Sequence, residues 1–201
     1  MKSIGKILIL VGIILIGIFS YQFYKMENNE KHALTEANQR INMDDEKENH
    51  IENSSEEEAS DNFKTNKGES FATLEIPKLD KTLPVVSGTD PDSLDKGVGH
   101  LNNSVFPGQG EQIVLSGHRD TVFREFGNLE IGDEFTVNMP YGTYTYEIRE
   151  TEIVPEDDTS VIREMGEEVL VVTTCYPFHY VGSAPERFVT YAYPINEESA
   201  N

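Results

Sequence analysis

One long apolar run opens the chain, and many short ones fill its second half. The first, Ile7 to Phe19, continues through Ser20-Tyr21-Gln22-Phe23-Tyr24 to about 18 residues, near the lower length for crossing a bilayer. As a helix it spans roughly 27 Å. From Phe71 onward the runs are short, all but one of them four to seven residues, and bounded by turn residues, the pattern of β-strands. The expected strands are Phe71–Ile76, Thr82–Val86, Val98–Leu101, Gln112–Gly117, Glu134–Met139, Thr143–Val154, Glu168–Thr174 and Phe188–Tyr193. Gln112-Ile113-Val114-Leu115 and Val169-Leu170-Val171-Val172 are continuous apolar runs, as in strands buried on both faces. Thr143 to Ile148 is rich in β-branched and aromatic residues after the turn Tyr141-Gly142. Short helical pieces are expected at Pro91–Lys96 and Thr121–Leu129. Eight short strands with regular turns predict a mainly β domain, a closed barrel or a sandwich, between which periodicity does not choose.

Four zones follow. Residues 1–6 are a basic N-terminal tip carrying Lys2 and Lys6, and residues 7–24 are a transmembrane signal-anchor. No small-x-small cleavage site follows the apolar run. Tyr21, Phe23 and Tyr24, with Lys25 beyond, suit a membrane-interface belt instead. The lysines before the run favour a cytoplasmic N-terminus and an extracellular remainder, an asymmetry that Lys25 and Lys31 weaken. Residues 25–70, with Asp44-Asp45-Glu46 and Glu56-Glu57-Glu58, contain no aromatic before Phe63. Such a segment reads as a disordered acidic linker, with transient helix over Lys31–Arg40. Residues 71–201 hold the folded domain.

Charge narrows the partners. Sixteen Lys+Arg against 36 Asp+Glu give a net charge of −20, which disfavours nucleic-acid binding. The single cysteine, Cys175, excludes an intramolecular disulfide. An unpaired thiol in an exported domain is either a small buried hydrophobe or a nucleophile. No zinc spacing, phosphate loop, dinucleotide fingerprint or Gly-x-Ser-x-Gly elbow occurs, so no cofactor and no metal are expected. Glu111, Asp157 and Asp158 have oxygens suited to calcium, but acidic loop residues are usually solvated.

Cys175 ends one apolar strand and His118 follows another, while Arg187 opens the last. Strand ends on a rigid β scaffold are good positions for catalytic groups. A free thiol near pKa ~8.5 is little ionised at neutral pH and needs a base, which an imidazole supplies. A guanidinium can stabilise an oxyanion or hold a substrate backbone without changing protonation. Cys175, His118 and Arg187 therefore suffice for acyl transfer through a thioester. His100 and His179 compete with His118, and Arg119, Arg124, Arg149 and Arg163 are alternative cations. Asp120, two residues after His118, either orients the imidazole or caps the turn at Thr121–Phe123.

Thr173-Thr174-Cys175 shares its terminal Thr-Cys with the Thr-Leu-x-Thr-Cys signature of sortases, with Val171-Val172 at the Thr-Leu positions. The segments Cys175-Tyr176-Pro177-Phe178-His179-Tyr180-Val181-Gly182-Ser183-Ala184-Pro185-Glu186-Arg187-Phe188 and Ser116-Gly117-His118-Arg119-Asp120-Thr121-Val122-Phe123 resemble class D sortases. Leu74-Glu75-Ile76-Pro77-Lys78-Leu79, Gly99-His100-Leu101 and Pro107-Gly108 fit as well, so the resemblance covers Phe71–Pro194. It implies an eight-stranded sortase β-barrel with Cys175 as nucleophile, His118 as acid/base and Arg187 as oxyanion or substrate arginine. Thr174, beside the thiol, and Asp120 become candidate supporting residues. The implied reaction is cleavage of a Leu-Pro-x-Thr-Gly/Ala sorting signal after Thr and transfer of the acyl group to an amine of peptidoglycan or its precursor. Surface proteins bearing that signal are the implied partners. The only Asp-Pro, Asp90-Pro91, lies inside the domain, which disfavours the N-terminal lid of pilus-building class C enzymes. A cysteine hydrolase of wall peptides and a non-catalytic surface-binding module remain the other readings of the same residues.

Overall fold

The structure, a computed structural model, describes residues 2–48, 56–180 and 182–195. Its strands are β1 (Ser70–Ile76), β2 (Lys81–Ser87), β3 (Val98–His100), β4 (Gln112–Gly117), β5 (Glu134–Met139), β6 (Gly142–Pro155), β7 (Val169–Tyr176) and β8 (Glu186–Pro194). They close into a barrel in the order β1-β2-β3-β4-β7-β8-β6-β5. The barrel, rather than the sandwich, is thus the fold. β2–β3 and β4–β7 pair in parallel and the other neighbours are antiparallel. In consequence β1, β4, β6 and β7 all finish at one end of the barrel, where β2, β5 and β8 begin.

Period-two alternation sorts the side chains. Ile113 and Leu115 of β4, Leu170 and Val172 of β7, and Ala192 of β8 join Phe71, Phe126, Phe135 and Tyr146 in the interior. Val114, Val169, Val171, Val189 and Tyr191 point the other way, packed against Val161 and Met165 of the 156–168 connection and against Leu101. This outer layer explains why β4 and β7 read as continuous apolar runs.

The loop after β4 departs from the expected helix over Thr121–Leu129. It consists of turns and one 3-10 turn at Phe126–Asn128. Its apolar residues Val122, Phe123, Phe126 and Leu129 are buried with helix-like spacing. However, the amides of both Thr121 and Phe123 donate to the His118 carbonyl, which winds the chain into tight turns. The expected Pro91–Lys96 piece is the single turn α3 (Pro91–Leu94), whose Pro91 and Ser93 carbonyls accept the Asp95 amide.

The larger departure is in the acidic zone. α1 runs unbroken from Lys2 to Glu48, and α2 spans Glu56–Asn62. The residues of the expected linker from 25 to 48 are therefore helical, while 49–55 lie outside the described residues. Ala33 and Ala37, four apart, are buried where α1 packs on β1 and β2. Their small side chains allow the helix to lie close to the barrel. Arg40 then reaches Glu69 at 2.5 Å and the Lys64 carbonyl at 2.9 Å, with its guanidinium 5.1 Å from the Phe63 ring centre. Within Ile4–Met43 the helix is long and apolar enough to cross a membrane.

Phe63 closes the end of the barrel where β1 begins. It meets Phe71, Phe106 and Tyr141 at ring separations of 5.6, 5.0 and 5.3 Å. Nearby, the Glu168 carboxylate accepts the amides of Gly108 and Gly110, each at 3.0 Å, and the Tyr146 hydroxyl at 2.7 Å.

Candidate active site

The opposite end of the barrel carries the candidate residues. Cys175 and Arg187 face each other in register across β7 and β8, so their Cβ atoms lie about 5 Å apart. The same alternation that turns Val171 and Val189 outward turns these two outward. Gly117 of β4 pairs with Thr174 of β7, and His118 continues β4 by one residue on the outer face. The buried Thr174 hydroxyl donates to the Gly117 carbonyl at 2.8 Å. That bond ties the strand ends carrying the thiol and the imidazole. A cleft of about 200 Å³ is lined by His118, Arg119, Asp120, Thr121, Cys175, Gly182, Ser183, Ala184 and Arg187. Cys175, His118, Arg187 and Asp120 are thus brought together, with Thr174 directly behind them.

Gly117 sets the path of the His118 loop. A Cβ there would stand 2.4 Å from the Phe123 ring, closer than any side chain tolerates. Its absence lets Val122 and Phe123 fold back under β4 and fixes where His118 leaves the strand. On the other side, Phe178 packs on Gly127 and stacks edge-on with Tyr176 and Phe188, each at 5.3 Å.

Arg119 joins these two loops. Only 5% exposed, it donates from Nε and Nη2 to both oxygens of Asp120 at 3.1 Å, and from Nη1 to the Pro177 carbonyl at 2.8 Å. The residue after His118 is thereby bonded to the carbonyl two residues beyond Cys175. The hydrogen bond from Arg119, more than the charge attraction, holds the Asp120 carboxyl below its ordinary range. Asp120 thus orients Arg119, and among the described residues no hydrogen bond joins it to His118. Sequence reasoning counted Arg119 only as one cation among several. The signal was its place between a candidate base and a carboxylate.

Arg187 donates from Nη1 to the carbonyls of Ala184 at 3.2 Å and Glu186 at 3.0 Å, and its Nη2 lies 3.4 Å from Glu156. The planar group is aimed by its own loop. His100, the rival imidazole, is buried at the plugged end, stacked 4.6 Å from Phe106 and bonded through Nε2 to the Val105 carbonyl. His179 is exposed in the β7–β8 loop.

Two of the acidic residues considered for calcium, Glu111 and Asp158, have other partners. Glu111 accepts the amides of Met165 at 2.6 Å and of Gly166 and Gln112 at 3.0 Å, which depresses its pKa and fastens the 156–168 connection. Asp158 accepts the Ser160 amide at 2.8 Å. No cluster of three metal-ligating side chains occurs among the described residues.

The Sortase domain family model matches residues 74–195. The chain is 42% identical over 191 residues to sortase D of Bacillus subtilis, covering 94% of this chain and 96% of the relative. It belongs to the sortase family, as a class D member. Among solved structures, a sortase D5 transpeptidase of Clostridium perfringens superposes with a TM-score of 0.68 at 25% identity, over 84% of this chain and 99% of that one. The catalytic domain of Bacillus anthracis SrtD gives a TM-score of 0.57 at 38% identity, over 73% and 96%. The chain is accordingly a cysteine transpeptidase of the sortase type. With one cysteine in the sequence, a thiol chemistry has a single available sulfur.

Proposed function

We propose that this sortase cleaves a Leu-Pro-x-Thr-Gly/Ala sorting signal after Thr and passes the acyl group to an amine of peptidoglycan or its precursor. Cys175, His118 and Arg187 carry the reaction. The observation that supports this most directly is their convergence from three strand ends onto one open cleft.

In the first half-reaction His118 takes the Cys175 proton and the thiolate attacks the Thr carbonyl carbon. Arg187 balances the charge gathering on the carbonyl oxygen. The tetrahedral species collapses as His118 protonates the leaving Gly or Ala amine, leaving a thioester. In the second half the acceptor amine loses its proton to His118 and attacks the thioester carbon. Collapse then expels the Cys175 thiolate and leaves an amide. Thr174 and Arg119 hold the two strand ends in register throughout.

Residues 7–24 anchor the enzyme as a single membrane pass, with the barrel on the extracellular face. The exposed apolar surface of α1 up to Tyr24 and the lysines preceding it support that topology. Substrate proteins with a sorting signal and the wall amine are then both met outside the cell.

The test uses the full chain in detergent, sorting-signal peptides and a panel of amines, read by mass spectrometry. Amide product should grow with amine concentration, and without amine an acyl adduct should accumulate on Cys175. Cys175→Ala should keep its melting temperature and lose turnover entirely. Product partition indifferent to amine up to saturation would make the enzyme a hydrolase. Failure of any peptide to modify Cys175 in the folded protein would make the cleft non-catalytic.

A further inference from the structure

Strand direction and the register of α1 together decide which way the cleft looks. His118, Cys175 and Arg187 sit where β4 and β7 finish and β8 begins. That is also the end where β1 finishes and β2 begins at Lys81. α1 lies along β1 and β2. Its residues Phe23, Met26, Glu27 and Glu30 line a cavity of about 360 Å³ with Lys81, Thr121, Arg124 and Glu125, all at the catalytic end. Its later residue Arg40 meets Glu69 beside the opposite end. The part of α1 nearest the apolar run is therefore the part beside the active site.

The distances are short. Glu30 lies six residues beyond Tyr24, roughly 9 Å along a helix. The polar layer of one leaflet is itself about 5–8 Å deep. Thr121 lines both the cavity beside α1 and the catalytic cleft. α1 is unbroken between the apolar run and the barrel, so no joint lets the domain turn away. Outside α1, the large apolar side chains exposed among the described residues are Ile131, Ile153, Ile162 and Tyr180. Ile131 precedes β5, Tyr180 lies in the β7–β8 loop, and Ile153 is near the finish of β6. Those three belong to the catalytic end.

We propose that the catalytic end of the barrel is a membrane-facing surface, held by α1 at the level of the phospholipid headgroups. Donor and acceptor then reach Cys175 by moving laterally between barrel and bilayer. This rests on the reading that residues 7–24 cross a membrane. Charge does not set the orientation: Lys78 is paired with Asp133 and Glu130, and Lys81 with Glu125. The helix sets it, so the arrangement should be insensitive to salt and to anionic lipid.

The test reconstitutes the full chain carrying Cys175→Ser in phosphatidylcholine vesicles. A fluorophore is attached through Ile131→Cys or, at the plugged end, through Asn102→Cys, and the lipid carries a headgroup nitroxide quencher. Quenching at position 131 should exceed that at 102 by about threefold or more, given the ~15 Å of helix between Glu30 and Arg40. Seven residues inserted between Tyr24 and Lys25, adding ~10 Å, should reduce quenching at 131. Equal quenching at both positions, or stronger quenching at 102, would overturn the proposal while leaving the anchor intact. A chain that fails to float with the vesicles after an alkaline wash would remove the membrane span and the proposal with it.

Discussion

The two ends of this barrel solve opposite problems. One is sealed by rings: Phe63 fills the gap between Phe71, Phe106 and Tyr141, and Arg40 covers Phe63 from α1. The other end leaves its polar groups accessible and holds them through their loops, with Arg119 bridging Asp120 and Pro177. Rings pack at both ends, but only the second carries a cleft lined by a thiol, an imidazole and guanidinium groups. The difference teaches that the acidic stretch before the barrel is no passive tether: its helix and Phe63 supply one of the barrel's two ends.

Substitutions at each end should separate these properties. The largest effect belongs to Arg187→Lys, which keeps the charge but loses the planar donor fork. Its kcat/KM should fall by about 10²–10³, the scale of a lost oxyanion donor, with an unchanged melting temperature. Wild-type kinetics would remove Arg187 from the chemistry.

At the sealed end Phe63→Ala should cost about 2–4 kcal/mol in denaturant unfolding, the range for truncating a packed aromatic. Below its melting point the variant should retain kcat. A large kcat loss in the folded variant would show that the ends are coupled.

Asp120→Asn should lower kcat by less than about tenfold, far less than His118→Ala, because the carboxylate acts on Arg119 and not on the imidazole. A loss matching that of His118→Ala would restore the triad reading.

The smallest effect is a pH dependence at the sealed end. Burial pushes the His100 pKa below its ordinary value near 6.5. The unfolded chain then binds a proton that the folded chain refuses, so stability rises with pH across that window. The contribution is complete above about pH 6.5 and is lost as pH falls toward the folded-state pKa. Melting temperatures from pH 7.5 to 5 should decline in the native protein and less steeply in His100→Phe. Parallel curves would rule out His100 as the source.

Much of the barrel was legible because period-two patterning and turn residues are local signals. Each expected strand has its counterpart, extended by a residue or two where pairing continues past the apolar run, as at Glu186 and Tyr176. Closure was not legible from periodicity, since β1–β5 pairing joins segments more than 60 residues apart. Three strand-end residues pointed to the cleft because alternation places them on one face. Arg119 and the helix beyond residue 24 escaped for different reasons. The fork of Arg119 acquires meaning only when Pro177 arrives from a distant strand. Ala33 and Ala37 look unremarkable in a charged segment until a barrel wall lies against them. The Thr121–Leu129 loop misled because its buried residues mimic helical spacing while the Thr121 and Phe123 amides converge on the His118 carbonyl.

The bond from Thr174 to Gly117 also bears on the order in which the enzyme becomes competent. Cys175 and Arg187 are twelve residues apart on an antiparallel pair, a contact that a folding chain can make early. Thr174 and Gly117 are separated by 57 positions and join parallel strands, where loop-closure entropy delays pairing. A chain that has closed only its last hairpin holds a thiol beside a guanidinium but has not yet brought up the His118 imidazole. With the roles proposed for Cys175 and His118, turnover would begin only once the seam between β4 and β7 is in place.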